Sequence, residues 1–135
     1  MLLSIVILNY KSKNLTRECV KNILSLNLNF DYEMIVVDNN SRDGVGQLLK
    51  DRYPDVKFIQ APKNLGMGAG NNLGIKQAQG KYILILNPDV IVLENSLNKL
   101  IEFLDANPKV GLVAPQILNP DRTWQASAYK FPRFL

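Results

Sequence analysis

The sequence predicts an α/β fold, a mostly parallel sheet flanked by helices in a Rossmann-like arrangement, and three observations predict it. Apolar runs rich in β-branched residues recur at 2–8, 34–37, 56–59 and 82–86, the pattern of strands buried on both faces. Between them the apolar residues shift to helical spacing. Strands alternating with helices in this way make βαβ units with right-handed crossovers.

Taken in order, the first run ends at Asn9-Tyr10, and Leu15, Cys19, Val20, Ile23 and Leu24 then mark a helix of about four turns. The second strand, 34–37, is followed by a short helix carrying Val45, Leu48, Leu49 and Tyr53. A third strand, 56–59, stands behind Pro54. The next helix is unusual, because Gly66, Gly70, Gly74 and Ala78 put small residues along one face, and each interior glycine costs about 1 kcal/mol relative to alanine. Close approach of that helix to the sheet, or of a ligand to its first turn, is the expected compensation. After the fourth strand, Leu97, Leu100, Ile101 and Leu104 form a helix capped by Asn95 or Ser96 and stopped at Asn107-Pro108. A last apolar strand is expected at 110–114, then a polar hairpin over 116–128 around Asn119-Pro120-Asp121. One domain over 1–135 is expected, with βα units through 114 and a hairpin and tail over 115–135.

Composition narrows the chemistry. The 135 residues are 47% hydrophobic and 21% charged, as in ordinary globular domains. With no histidine, a Ser-His-Asp triad, a His-paired cysteine and a histidine-bearing zinc site are excluded. Acid-base work falls to carboxylates. The net charge of +4 is spread over scattered lysines and arginines, a solvated surface rather than a nucleic-acid footprint. The single Cys19 cannot form an internal disulfide, and a reducing cytoplasm is expected. No apolar run approaches the roughly 20 residues of a membrane helix, so any membrane contact would be peripheral.

In such sheets ligands sit outside the carboxyl ends of the strands. The loops there carry Asn9-Tyr10, Asp38-Asn39-Asn40-Ser41, Lys63-Asn64-Leu65-Gly66 and Asn87-Pro88-Asp89, polar residues that core packing does not require. Each alone reads as a cap or turn; four at one crevice read as a site. The glycine fingerprint of a dinucleotide-binding domain belongs in the first βα turn, and that turn, residues 9–14, has no glycine. A Walker A loop is also absent, since no Gly-Lys-Ser or Gly-Lys-Thr occurs.

Val6-Ile7-Leu8-Asn9-Tyr10, the run from Ile35 through Asp38-Asn39-Asn40-Ser41-Arg42-Asp43-Gly44, Asn64-Leu65-Gly66 with Asn71-Asn72, and Leu86-Asn87-Pro88-Asp89-Val90 resemble successive motifs of family 2 glycosyltransferases, most closely the rhamnosyltransferase-like branch. The resemblance implies a GT-A fold and covers the nucleotide-sugar-binding portion, with the chain stopping before the acceptor-binding half. It implies that Asn9, Tyr10, Asp38, Asn40, Asn64, Gly66, Asn71, Asn87 and Asp89 bind a nucleoside-diphosphate sugar of the UDP or dTDP type. Asp38 would accept a hydrogen bond from the imide N–H of uracil or thymine, and Tyr10 would offer the base an aromatic face. Where the family has Asp-x-Asp for Mn²⁺ or Mg²⁺, this chain has Asn87-Pro88-Asp89, so Asp89 is the one charged metal ligand expected.

The implied reaction is inverting transfer of the sugar to a polysaccharide or lipid-linked acceptor, in the cytoplasm at the inner face of a membrane. The catalytic base is expected beyond Leu135; Glu94 and Asp121 are the nearest local acids, and each has an ordinary explanation in a cap or turn. The alternating aromatic and basic residues of 129–135 are compatible with an interior strand, a homodimer contact or a membrane-surface patch. A truncated donor-binding module that needs a partner and a nucleotidyltransferase are the alternatives, although the latter would want a glycine-rich basic loop after the first strand.

Overall fold

A computed structural model describes residues 1–127. The described residues group into two compact units, Met1–Leu97 and a second that begins at Asn98. The first holds a four-stranded parallel sheet of order β3-β2-β1-β4, built from β1 (Leu3–Asn9), β2 (Tyr32–Asp38), β3 (Lys57–Gln60) and β4 (Tyr82–Leu86). The intervening helices are α1 (Lys13–Ser25), α2 (Val45–Arg52) and α3 (Gly66–Ile75). This is the predicted α/β architecture.

β1 and β2 are central, and Ile5, Val6, Ile7, Ile35, Val36 and Val37 are fully buried, which is why their apolar runs do not alternate. On one face Val6, Ile35 and Val37 pack with Leu8, Ile59, Leu73, Ile75 and Ala78. α3 lies close to that face: a Cβ built on Gly74 would come within 2.4 Å of Val6 Cγ1, and one on Gly70 within 2.7 Å of Leu8 Cδ1. Two of the spaced glycines therefore answer the helix–sheet distance. Gly66 and Gly68 do not, since a Cβ on either meets nothing within 4 Å.

At the other end of the strands, Ser4 donates to Glu33 at 2.6 Å, Glu33 also accepts the Gln79 N–H at 2.8 Å, and Lys57 pairs with it at 2.6 Å. This cluster ties the turn before β4 to β1 and β2.

Three expectations are corrected. Leu15 and Leu24 are exposed, and α1 instead buries Thr16 beside Cys19, Val20 and Ile23, because Thr16 is drawn in by a hydrogen bond to Asn9. β4 is buried only in part, with Ile83 and Ile85 exposed, because it is an edge strand with one neighbour. The strand expected at 110–114 is absent among the described residues: the sheet has four strands, Leu112 is 84% exposed, and an apolar run without a partner forms no ladder.

The second unit contains most of α4 (Ser96–Ala106). It also contains a minimal hairpin in which Leu118 bridges Trp124 and the Arg122 N–H closes a turn on the Asn119 carbonyl at 2.8 Å. The tail at 129–135 lies outside the described residues. Among the described residues no helix is long and apolar enough to cross a membrane.

Candidate functional site

The parallel register sets Asn9 level with Asp38, and Asp38 level with Gln60. Residues level in neighbouring strands point to the same face, so three polar side chains form a row across the ends of β1, β2 and β3. Asn9 is fully buried. Its amide group donates to Asp38 Oδ1 at 2.8 Å, Ser41 Oγ at 2.7 Å and Asp43 Oδ2 at 3.1 Å. Its carbonyl oxygen accepts from Thr16 at 2.8 Å and Ser12 at 3.1 Å.

Asp38, 2% exposed, also accepts from the Ser41 hydroxyl on Oδ1 and from Gln60 Nε2 on Oδ2 at 3.0 Å. It nevertheless lines an open cleft of about 720 Å³ with Arg42, Lys50, Phe58 and Gln60. The loops at Asn64 and Asn87 do not line that cleft. The strand-end crevice is thus an open surface, not an enclosed cavity.

Asp43 caps two helices. It accepts the Lys13 N–H at the start of α1 at 3.1 Å and the Val45 N–H at the start of α2 at 3.0 Å, where a carboxylate also meets the positive end of each helix. Burial pushes its carboxyl up, but hydrogen bonds from Asn9, the Val45 N–H, Ser41 and the Lys13 N–H outweigh that and hold it below the usual carboxylate value.

On the opposite parity of β2, Asn39 follows Ile35 and Val37 toward α3. Its amide donates to Asn64 Oδ1 at 2.9 Å, and its carbonyl accepts the Leu65 N–H at 2.9 Å. Asn64 Oδ1 accepts the Gly66 N–H as well, at 2.9 Å, and Gly66 takes a left-handed φ of 77°. Asn71, in the second turn of α3, is buried and donates to the Met67 carbonyl at 3.0 Å. Its Oδ1 is buried without a hydrogen-bond partner.

Tyr10 is exposed, with the Lys11 ammonium 5.4 Å from its ring centroid. Asn40 is half-buried in a left-handed conformation, φ 62°. Asn87 and Asp89 are exposed beyond β4, whose Leu86 is level with Ile7 of β1, so they stand at the same end of the sheet. Burial, and then the Asp89 carboxylate, push the Cys19 thiol up to about 11.

The register thus gathers Asn9, Asp38 and Asn64 into one bonded framework, with Asn87 and Asp89 at its side. Asn39, Ser41 and Asp43, which stood in the second motif but not among the expected binding residues, belong to that framework, as do Gln60 and Thr16, which the sequence did not single out. Of the two local acids, Asp121 binds the Thr123 hydroxyl at 2.6 Å and its N–H at 3.0 Å, and these bonds hold its carboxyl low. It is a turn former.

A family model described as glycosyl transferase family 2 matches residues 4–134. The chain belongs to that family. Among relatives of this family 2 chain, it is 31% identical over 121 residues to a low-salt glycan biosynthesis hexosyltransferase of Haloferax volcanii, covering 87% of this chain and 37% of that one. It is 32% identical over 109 residues to a poly-beta-1,6-N-acetyl-D-glucosamine synthase of Staphylococcus epidermidis, covering 76% and 26%. It is 28% identical over 123 residues to an N-acetylglucosaminyl-diphospho-decaprenol L-rhamnosyltransferase of Mycobacterium tuberculosis, covering 83% and 40%. The chain therefore spans about a quarter to two fifths of these relatives.

In fold it is similar to S. aureus TarS in complex with UDP-GlcNAc, TM-score 0.71 at 24% identity over 80% of this chain and 32% of that one. A Pyrobaculum calidifontis mannosyltransferase in complex with GDP-Man and Mn²⁺ superposes with TM-score 0.72 at 23% identity, over 81% and 33%. The expected GT-A fold is confirmed.

Proposed function

We propose that the strand-end crevice binds the nucleoside diphosphate of a UDP- or dTDP-sugar, and that the sugar passes to a polysaccharide or lipid-linked acceptor. The observation that carries this reading is Asp38, a carboxylate held by Asn9 and Ser41 on one oxygen and by Gln60 on the other. Its remaining lone pairs suit an imide N–H. The buried, unpartnered Asn71 Oδ1 is an acceptor in want of a donor, which a sugar hydroxyl supplies. The names of the S. epidermidis and M. tuberculosis relatives agree with glycan acceptors, and we propose the cytoplasmic face of a membrane as the place of work.

In the transfer, the acceptor oxygen bonds to the anomeric carbon as the bond from that carbon to the diphosphate breaks. The electron pair leaves with the nucleoside diphosphate, and the acceptor proton goes to a carboxylate base. Asp121, engaged in its turn, is not that base in this reading.

Among the described residues no group of three acidic or cysteine side chains could hold a metal ion alone. Asp89 would be the single charged protein ligand to a hard cation, Mn²⁺ or Mg²⁺, such a cation being satisfied by oxygen donors. When bound, the ion neutralises charge on the leaving diphosphate.

The test is thermal denaturation with UDP, dTDP, ADP and GDP, each with Mn²⁺. A pyrimidine nucleotide at one hundred times its dissociation constant stabilises by about 2.7 kcal/mol. Equal shifts with ADP or GDP overturn the pyrimidine assignment, and no shift with any of the four overturns the donor site.

A further inference from the structure

Asn22, on α1, clasps one residue of the segment that follows β4. Its amide donates to the Val92 carbonyl at 3.2 Å, and its own carbonyl accepts the Val92 N–H at 2.8 Å. Val92 is buried at 8% exposure, while Ile91 and Leu93 on either side of it are exposed. Residues 90–93 belong to no helix or strand, and buried backbone groups outside regular structure must find partners elsewhere. Asn22 supplies a donor and an acceptor to the same residue.

Asp89 stands between this clasp and the sheet. The Val90 N–H closes a turn on the Asn87 carbonyl at 3.3 Å, which puts Pro88 and Asp89 at its two corners, the first of which proline favours. Upstream the turn is anchored by β4, whose Leu86 is buried and level with Ile7. Downstream it is anchored by Val92 on α1. The segment also follows the helix: the Asp89 carboxylate is near enough to Cys19 to act on its thiol, and Cys19 lies one turn before Asn22 on the same face of α1.

Resting on the reading of Asp89 as the charged ligand of the donor's cation, we propose that Asn22 is a positioning residue for that carboxylate: its clasp on Val92 fixes the far side of the turn that carries Asp89. It touches neither nucleotide nor cation. The contact asks for a carboxamide, because Val92 presents a donor and an acceptor together and an amide side chain answers both.

The experiment uses the full 135-residue chain and the variants Asn22→Ala and Asn22→Leu. UDP and dTDP are titrated calorimetrically, with Mn²⁺ and with chelator, and amide hydrogen exchange is followed on the ligand-free proteins. Asn22→Ala is expected to lose about tenfold of the affinity gain that Mn²⁺ confers, the scale of loss when a residue supporting a metal ligand is removed. In chelator its affinity should stay within about twofold of wild type, and its Val92 amide should exchange about tenfold faster as the segment opens locally. A merely structural defect would weaken binding with and without metal alike. Asn22→Leu keeps the bulk of the side chain but neither bond, so it should match the alanine variant, and it carries the test if that variant does not fold.

An undiminished gain from Mn²⁺ in both variants overturns the positioning role and leaves the donor site and Asp89 standing. Equal losses with Mn²⁺ and with chelator also overturn it, because the effect would then not pass through the metal ligand. Recovery of the gain in Asn22→Leu overturns it too, since bulk rather than the clasp would be at work. A wild type that binds nucleotide with no gain from Mn²⁺ overturns the metal role of Asp89 and this inference while sparing the donor site; one that binds no nucleotide overturns all three.

Discussion

Asn9 donates to Asp38 across the β1–β2 boundary at 2.8 Å, with both residues almost completely buried. Asn9 has two amide hydrogens for three acceptors and fills its carbonyl with two hydroxyls, so all its side-chain polar atoms are engaged, and they tie Asp38, Ser41 and Asp43 together.

Asn9→Ala is therefore expected to damage stability before chemistry. It removes one hydrogen bond from each of two buried or half-buried carboxylates that keep their other donors, and a hydrogen bond to a charged group contributes roughly 1.5–3 kcal/mol. Urea denaturation should show a loss of about 3 kcal/mol. A loss within about 0.5 kcal/mol, the range of ordinary surface substitutions, would mean that the network contributes little.

Acid should weaken the fold through Asp43 and Glu33. Burial pushes Glu33 up, but Lys57, Ser4 and the Gln79 N–H hold it below its ordinary value of 4.5, and Asp43 is likewise held below 3.8. A carboxyl whose folded pKa lies below its unfolded value adds stability that is fully present above the unfolded value and is lost as pH falls through the folded one. Stability should thus be level near neutrality and fall once the pH drops below about 4.5 for Glu33 and 3.8 for Asp43. Urea midpoints measured from pH 7 to pH 3 should decline less steeply in Glu33→Gln and Asp43→Asn; slopes equal to wild type would remove both residues from the account.

The glycines of α3 should divide sharply. Gly74→Ala forces a methyl to 2.4 Å from Val6 Cγ1 and 3.1 Å from Val37 Cγ2, and overpacking of this kind costs typically 1–3 kcal/mol. Gly68→Ala meets nothing within 4 Å, so the helix should gain up to about 1 kcal/mol. If donor approaches the first turn, the same methyl lowers nucleotide affinity while raising the melting temperature. Stabilisation with unchanged affinity would keep the donor away from Gly68.

Asp89→Ala should leave the metal-free protein folded, since Asp89 is exposed, while abolishing the extra nucleotide affinity that Mn²⁺ confers. Calorimetric titrations of wild type and variant, with Mn²⁺ and with chelator, separate the two effects. A variant that keeps the full gain from Mn²⁺ removes Asp89 as the metal ligand.

The sheet was legible in the sequence because β1 and β2 are buried on both faces and say so in unbroken apolar runs. The segment 110–114 looked the same, but pairing depends on a neighbour that composition does not specify. In the site, Asp38 and Asn64 stood out by type. Asn40 was expected to bind rather than Asn39, because which of two adjacent asparagines faces α3 depends on the parity inherited from Ile35 and Val37. Gln60 and Thr16 were hidden by ordinary polarity. Gln60 matters only because β3 is level with Asp38, and register is not written in any single strand.

The bonds from Asn9 to Asp38, Ser41 and Asp43 span 29, 32 and 34 residues. Contacts of that separation close late, since the chain must first meet the entropy of forming the loop between them. Asp43 cannot cap α1 until the second βα unit has arrived, so the beginning of the first helix is finished by a residue made much later in synthesis. A chain emerging from the ribosome therefore has no bonded network around Asp38 and Asp43 until β1 and β2 are joined.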